Sequence, residues 1–301
     1  MQEKLSLVWQ NASNCKKKEI ENIPSLKNII TIKEIIRNSN KIKDQIIVLK
    51  LPAVIINDAG LFSAFIESVQ LLEMCGAKIS IVHDHFDLEN SPLKSLIDDN
   101  LNDKISTIAH NNPIITEMIL SGYVNKLIVS KLCSAGCYAI GISGKDANLL
   151  QAKKSKLSHR RAANHDVIDI GFVSEPIIIN PEILLNFEDN NIIPVISPIA
   201  NDDQENTHLL DADMTSAVIS SALSADHLIF PHELPNSLAL DTKIQDINIL
   251  KSMLNDNNNI IKRELIEAAI NAIENNIGCV HFVNSTTPNS VLLTMFTEHK
   301  Q

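Results

Sequence analysis

The stretch QIIVLKLPAV, residues 45–54, decides how the chain is read. Ile46, Ile47, Val48 and Leu49 are all apolar and three of the four are β-branched, which predicts a strand buried on both faces. Lys50 stands at its end, where a lysine can meet an anion. Leu51, Pro52 and Ala53 follow. A loop that cradles phosphate through backbone N–H groups needs glycine there. Proline has no N–H to donate, and the Cβ atoms of the other two block close approach. The stretch therefore predicts a central strand of an α/β sheet that ends in a lysine with no cradle behind it.

Working outward, helices and strands alternate. Helical apolar spacing runs over residues 26–38 and 59–75, the latter stopping at Gly76. Residues 78–83 read as a strand, and the polar segment 84–112 has no assignable pattern. Helices are predicted over 113–121, with Pro113 in the first turn, and over 124–134, followed by a strand at 137–142 and a loop at 143–165. Residues 166–179 read as a hairpin or two short strands. Helix 181–189 and strand 192–197 come next. Asp213 precedes a small-residue helix at 214–225 and reads as its N-cap. A strand at 227–230, helices at 243–255 and 261–276, a strand at 279–283 and a helix at 289–296 complete the chain. This alternation predicts a three-layer αβα sandwich with a mainly parallel sheet. Ligands of such sheets sit at the carboxyl ends of strands. That rule nominates Lys50, the His83-Asp84-His85-Phe86-Asp87 run, Ser143–Asp146, Ser197–Asp202, Asp211 and Asp213, and Pro231–Glu233.

Composition narrows the functions. A chain of 301 residues, 45% hydrophobic, can bury a sizeable core. A formal net charge of −10 argues against a nucleic-acid surface, which needs clustered Lys and Arg. The 5 cysteines are odd in number and scattered, which predicts a reducing, cytoplasmic setting; Cys75, Cys133 and Cys279 lie in apolar runs and read as core residues. Cys133-Ser-Ala-Gly-Cys137 has no second pair, and His83 and His85 would share one strand face with Asp84 on the other, so no metal is expected from either. MQEKLSLVWQ has no apolar leader segment, and no run reaches 18 apolar residues, so no signal peptide and no membrane span are expected. There are only 8 glycines, where average usage gives roughly twenty. None stands in a GxGxxG or GxxxxGK[ST] pattern.

Four stretches together resemble the acetylglutamate kinase family of the amino acid kinase superfamily. GYVNKLIVSKLCSAGCYAIGISGKDANLLQAKK (122–154) is similar to that family's helix, strand and SGKDGNL segment, and DIGFVSEP (169–176) to its D-L-G-F-V-G-E hairpin. IIPVISPIANDDQENTHLLDADMTSAVISSALSADHLI (192–229) is similar to its I-P-V-I-x-P-I and N-A-D-x-x-A region, and VHFVNSTTPNSVLLTMFTE (280–298) to its last strand and helix. The resemblance is collinear from about residue 26 to 298. It implies phosphoryl transfer from Mg-ATP to the γ-carboxylate of N-acetyl-L-glutamate, a step of arginine biosynthesis. It also implies an amino-terminal helical segment (1–40), an acyl-amino-acid lobe (41–180) and a nucleotide lobe (181–301). Because residues 26–38 resemble the helix before the family's first strand, a homodimer or larger ring is implied as well.

The resemblance carries roles onto named residues: Lys50, Asp213 and Lys262 as catalytic, His83, His85 and Asp211 as substrate-binding, and Lys145 as nucleotide-binding. The departures fall on the chemistry. K-x-G-G becomes Lys50-Leu51-Pro52-Ala53, and H-G-G-G-P becomes His83-Asp84-His85-Phe86-Asp87. The arginine of an R-V-T-D stretch has no match in residues 106–112. Lys262 matches the second catalytic lysine only across a short insertion; without a gap Leu265 stands there. The glutamate of the C-terminal arginine-feedback site is replaced by Thr294. The expectation is a kinase-like chain impaired in phosphoryl transfer and acting as a binding or regulatory subunit. An active kinase on acetylglutamate or a related acid stays open, with His85, Lys145 or Lys262 supplying charge. So does an interaction protein without a ligand.

Overall fold

Strand β1 (Ile46–Leu51) occupies the centre of the main sheet, and its two faces feed different cores. Ile47, Leu49 and Leu51 join one apolar cluster and Val48 joins the other. This is the two-residue alternation of a strand covered on both sides. The computed structural model describes residues 39–84, 112–154, 159–161, 167–169, 173–233, 242–256 and 260–296. The expected helix at 26–38, nearly all of 84–112 and residue His85 lie outside the described residues.

The strands are β1, β2 (Lys78–His83), β3 (Ala139–Ser143), β4 (Leu150–Lys154), β5 (His159–Arg161), β6 (Val167–Asp169) and β7 (Val173–Ile179). They continue as β8 (Ile193–Ser197), β9 (Ile199–Asn201), β10 (Thr207–Leu210), β11 (His227–His232), β12 (Thr242–Ile244) and β13 (Cys279–Asn284). Seven form the main sheet in the order β12-β13-β11-β1-β2-β8-β3, parallel throughout except for the antiparallel β12 edge. The α/β sandwich expected from the alternation is therefore present. β8, from the second half of the chain, lies between β2 and β3 of the first.

Helices α1 (Ala53–Asn57), α2 (Ala59–Met74), α3 (Pro113–Glu117), α4 (Asn125–Ser134), α5 (Glu182–Asp189), α6 (Ala212–Ala222), α7 (Ile247–Asn255), α8 (Arg263–Glu274) and α9 (Ser290–Phe296) complete the layers. One cluster is built from Phe65 and Val69 of α2, Ile128 and Leu132 of α4 and Val291 of α9. The other takes Leu184 of α5, Ile219 of α6, Leu250 of α7 and Ile266 of α8.

Several local expectations are corrected. The expected loop at 143–165 contains β4 and β5: Leu150 and Ala152 are buried while Lys153 is exposed, so a half-exposed strand forms and pairs with β7. Of the two readings of 166–179, two short strands form, and they pair elsewhere rather than with one another: β6 with β5, and β7 with β4 and β10. β4, β7, β9 and β10 close a small barrel. The break expected near Gly122 is absent, because a π-helical segment, Met118–Val124, runs straight into α4. Cys133 is exposed rather than core, because Ile128 and Leu132 take the inner face of α4; Cys137 and Cys279 are buried and Cys75 is half-buried.

Candidate functional site

The carboxyl ends of β1, β2 and β11 meet where the strand order turns back on itself. The chain leaves β1 on one side through β2 and returns on the other through β11. That reversal is where open α/β sheets take their ligands. Lys50 lies two residues after Val48, on the face covered by α6. Its stem is held in the sheet, with the side chain only 9% exposed, and its Nζ lies 2.8 Å from Asp84 Oδ2 and 3.0 Å from Asp213 Oδ1.

Each carboxylate is placed by backbone geometry. Leu51 is in register with His83, so Asp84 falls one step beyond the paired strand ends. Its N–H donates to the Leu51 carbonyl at 2.8 Å, which fixes it beside β1. The N-cap of α6 is Asp211, not Asp213: Asp211 Oδ1 accepts from the Met214 N–H at 2.8 Å. Asp213 therefore sits inside the first turn, where the helix dipole favours an acid, and is free to face Lys50.

Burial works against the Lys50 charge, but Asp84 and then Asp213 more than reverse it and hold the ammonium above the usual lysine range. Burial pushes the Asp213 carboxyl up, with Lys50 opposing and Asp211 and Asp84 adding repulsion. One cation is thus shared by two acids. Among the described residues, the surroundings of Lys50 are acidic rather than anion-cradling. The position beside Lys50 is filled by a carboxylate, and Pro52, at the start of α1, offers no N–H.

His83 is fully buried. Its Nδ1 lies 3.0 Å from the Asp84 carbonyl, which can only accept, so that nitrogen carries the proton; Nε2 lies 3.0 Å from Ser197 Oγ. The contact with Ser197 ties the ends of β2 and β8 together.

On the other side of β1, His232 ends β11 with its ring edge-on to Phe282 at 5.9 Å. Its Nε2 is buried without a hydrogen-bond partner among the described residues. Burial lowers the ring to about 4, against a hydrogen bond that the ring donates to the Glu233 backbone, and both Lys262 and Lys50 push it further down. Lys262 is exposed at the N-cap of α8, while Leu265 is buried in the core, so Lys262 is the one of the two that can face the crevice. The ring of His232 is accordingly expected to titrate near pH 4, and Lys262→Met is expected to raise that midpoint by removing a positive charge. Imidazole proton shifts followed by NMR check both; a wild-type midpoint near 6.5 would contradict them.

The structure does not bring Lys145 to this point. It follows β3, three strand positions from β1, roughly 14 Å at the usual spacing. Its Nζ is engaged by Glu117 Oε2 at 2.6 Å and Thr207 Oγ1 at 2.8 Å. Gly144 is there for packing, because a Cβ would lie 2.6 Å from the Ile199 carbonyl oxygen. Ala147 stands at φ 52° where the resembling pattern has glycine, a left-handed conformation that costs about 1 kcal/mol for a residue with a Cβ. Thr294 is buried in α9.

The pairing of Lys50 with Asp84 escaped the sequence reading, which took Asp84 as a departure from the family's glycine-rich stretch. The signal was available: two adjacent parallel strands of equal length, with a lysine near the end of one and an aspartate just past the end of the other.

Comparison with known proteins agrees with this architecture. The amino acid kinase family profile matches residues 45–235. Acetylglutamate kinase of Campylobacter curvus (strain 525.92) is 32% identical over 265 residues, covering 86% of this chain and 90% of that protein. The Rhodospirillum rubrum acetylglutamate kinase is 31% identical over 258 residues, 83% of each. Among solved structures, N-acetylglutamate synthase from Neisseria gonorrhoeae, complexed with coenzyme A and N-acetyl-glutamate, superposes with a TM-score of 0.66 at 16% identity. The match covers 89% of this chain and 61% of that one. Carbamate kinase from Giardia lamblia bound to AMP-PNP gives a TM-score of 0.56 at 11% identity, over 83% of this chain and 96% of that one. At these identities the two structures show the fold alone.

Proposed function

This chain belongs to the acetylglutamate kinase family, and on that premise we propose that it is a member impaired in phosphoryl transfer, acting as a binding or regulatory subunit. The observation that carries the reading is the 2.8 Å contact between Lys50 Nζ and Asp84 Oδ2. Phosphoryl transfer without a covalent intermediate depends on positive charge and N–H donors around the moving group. Here the central lysine is already neutralised by two carboxylates, and an incoming phosphate has to displace Asp84 against like charge. The ligand class we assign is N-acetylglutamate or a related small acid, because the relatives are acetylglutamate kinases. We further propose a homo-oligomer in a reducing, cytoplasmic compartment. Among the described residues no helix is long and apolar enough to cross a membrane.

One observation favours the alternative of an active kinase. Lys50 and Asp213 remain paired, and Lys262 lies within electrostatic reach of the same crevice through His232. A coupled assay with Mg-ATP and N-acetylglutamate, run beside calorimetric titration of each ligand, separates the two. The proposal expects binding of the acid, weak or undetected nucleotide binding and no turnover. Turnover at rates typical of metabolic kinases overturns it.

A further inference from the structure

At the opposite rim of the sheet, β11 and β13 begin with His227 and Cys279 in direct register, and His281 follows Cys279 by two residues. Parallel pairing puts all three side chains on one face. Among the described residues they form a group of three whose ligand atoms lie close together. His227 Nδ1 is 2.9 Å from His281 Nε2, Cys279 Sγ is 3.1 Å from His227 Nδ1, and Sγ is 3.2 Å from His281 Nε2. Cys279 and His281 are almost wholly buried, and His227 is 9% exposed.

The orientation of His227 is set from outside the group. Its Nε2 lies 3.0 Å from Gln45 Oε1. An amide oxygen only accepts, so Nε2 carries the proton and Nδ1 turns its lone pair toward the sulfur and the second imidazole. A histidine held by a hydrogen bond on its far nitrogen is the usual arrangement behind a metal ligand. The three atoms make a nearly equilateral triangle. An ion just above its plane reaches all three at about 2.0–2.3 Å, the range of zinc–imidazole and zinc–thiolate bonds.

We propose that His227, Cys279 and His281 form a zinc(II) site with two imidazoles, one thiolate and a fourth position taken by water. On binding, the Cys279 S–H bond breaks and its proton leaves to solvent, the His281 proton moves from Nε2 to Nδ1, the Zn–S bond forms, and the neutral imidazoles coordinate through His227 Nδ1 and His281 Nε2; no electron is transferred. The spacing could not have announced this site. Only two ligands are close in sequence, and the third is brought to them by strand register. The site is independent of the chemistry at Lys50, since it sits at the amino ends of β11 and β13, across the same sheet from the carboxyl end of β1.

The test is titration of the full-length, reduced chain with cobalt(II), a spectroscopic stand-in for zinc. One equivalent is expected to give a sulfur-to-cobalt charge-transfer band that zinc bleaches. Cys279→Ser is expected to abolish the band, and Gln45→Ala to weaken binding about 10–100-fold, as loss of an outer partner does at metal sites. X-ray absorption of the zinc-loaded wild type is expected to show one sulfur and two imidazole nitrogens, and needs no variant to fold. A folded wild type that takes up no cobalt, a band that survives Cys279→Ser, or a zinc shell without sulfur or with several sulfurs overturns the proposal.

Discussion

Asp84→Gly is expected to raise the affinity of the crevice for Mg-ATP or inorganic tripolyphosphate by tenfold to a few hundredfold. In the native chain Asp84 Oδ2 sits 2.8 Å from Lys50 Nζ, so it both consumes the cation and repels a second anion. At about 4 Å, one unit charge against another costs from about 1 kcal/mol in water to about 4 kcal/mol near a protein surface. Removing the carboxylate returns that energy to the ligand. Calorimetric titration of wild type and variant reads the difference directly. Asp84→Asn separates charge from bulk: it is expected to recover most of the gain if repulsion is the barrier. Equal affinities in all three proteins would mean that Asp84 is not what bars the ligand.

The second large effect is on stability. Lys50→Met is expected to cost about 3–5 kcal/mol at pH 8, because it leaves Asp84 and Asp213 facing each other around a buried point with no cation. The loss depends on pH in a definite direction. Without Lys50 the folded-state carboxyl pKa, already pushed up at Asp213, rises further above its unfolded value of about 3.9. A raised folded pKa means stability retained below the unfolded value and lost as pH climbs through the folded one. Urea unfolding at pH 5 and pH 8 should therefore show the larger deficit at pH 8. Lys50→Met combined with Asp213→Asn is expected to recover much of it. An equal deficit at both pH values would assign the loss to packing of the lysine stem.

The layers of the fold were legible because they rest on local signals. The unbroken apolar run at Ile46–Leu49 and the spacing of Phe65, Val69, Leu72 in α2 state their own burial. What was missed depends on pairing between distant segments. β4 reads as polar loop until β7 covers it, and β12 is too short to show a pattern of its own. At the site, Lys50, Asp213 and the loss of glycine were visible as residues. The clasp between Lys50 and Asp84 and the Asp211 cap required the register of β1 with β2 and the start of α6. The His227, Cys279 and His281 group lies furthest from sequence reading, because 52 residues separate its two halves.

The widened turn at Met118–Val124 has a consequence for how the chain tolerates change in length. Its closing bond runs from the Asn125 N–H to the Leu120 carbonyl, one residue longer than an ordinary helical turn. An added residue is taken up there as girth, so Ile128 and Leu132 downstream keep their inward bearing instead of rotating by about 100°. Leu120 also offers its carbonyl to Ser197 Oγ at 3.4 Å, the same hydroxyl that meets His83. Deleting one residue at this swelling would be felt as a shift in one hydroxyl beside the crevice rather than as a scrambled helix.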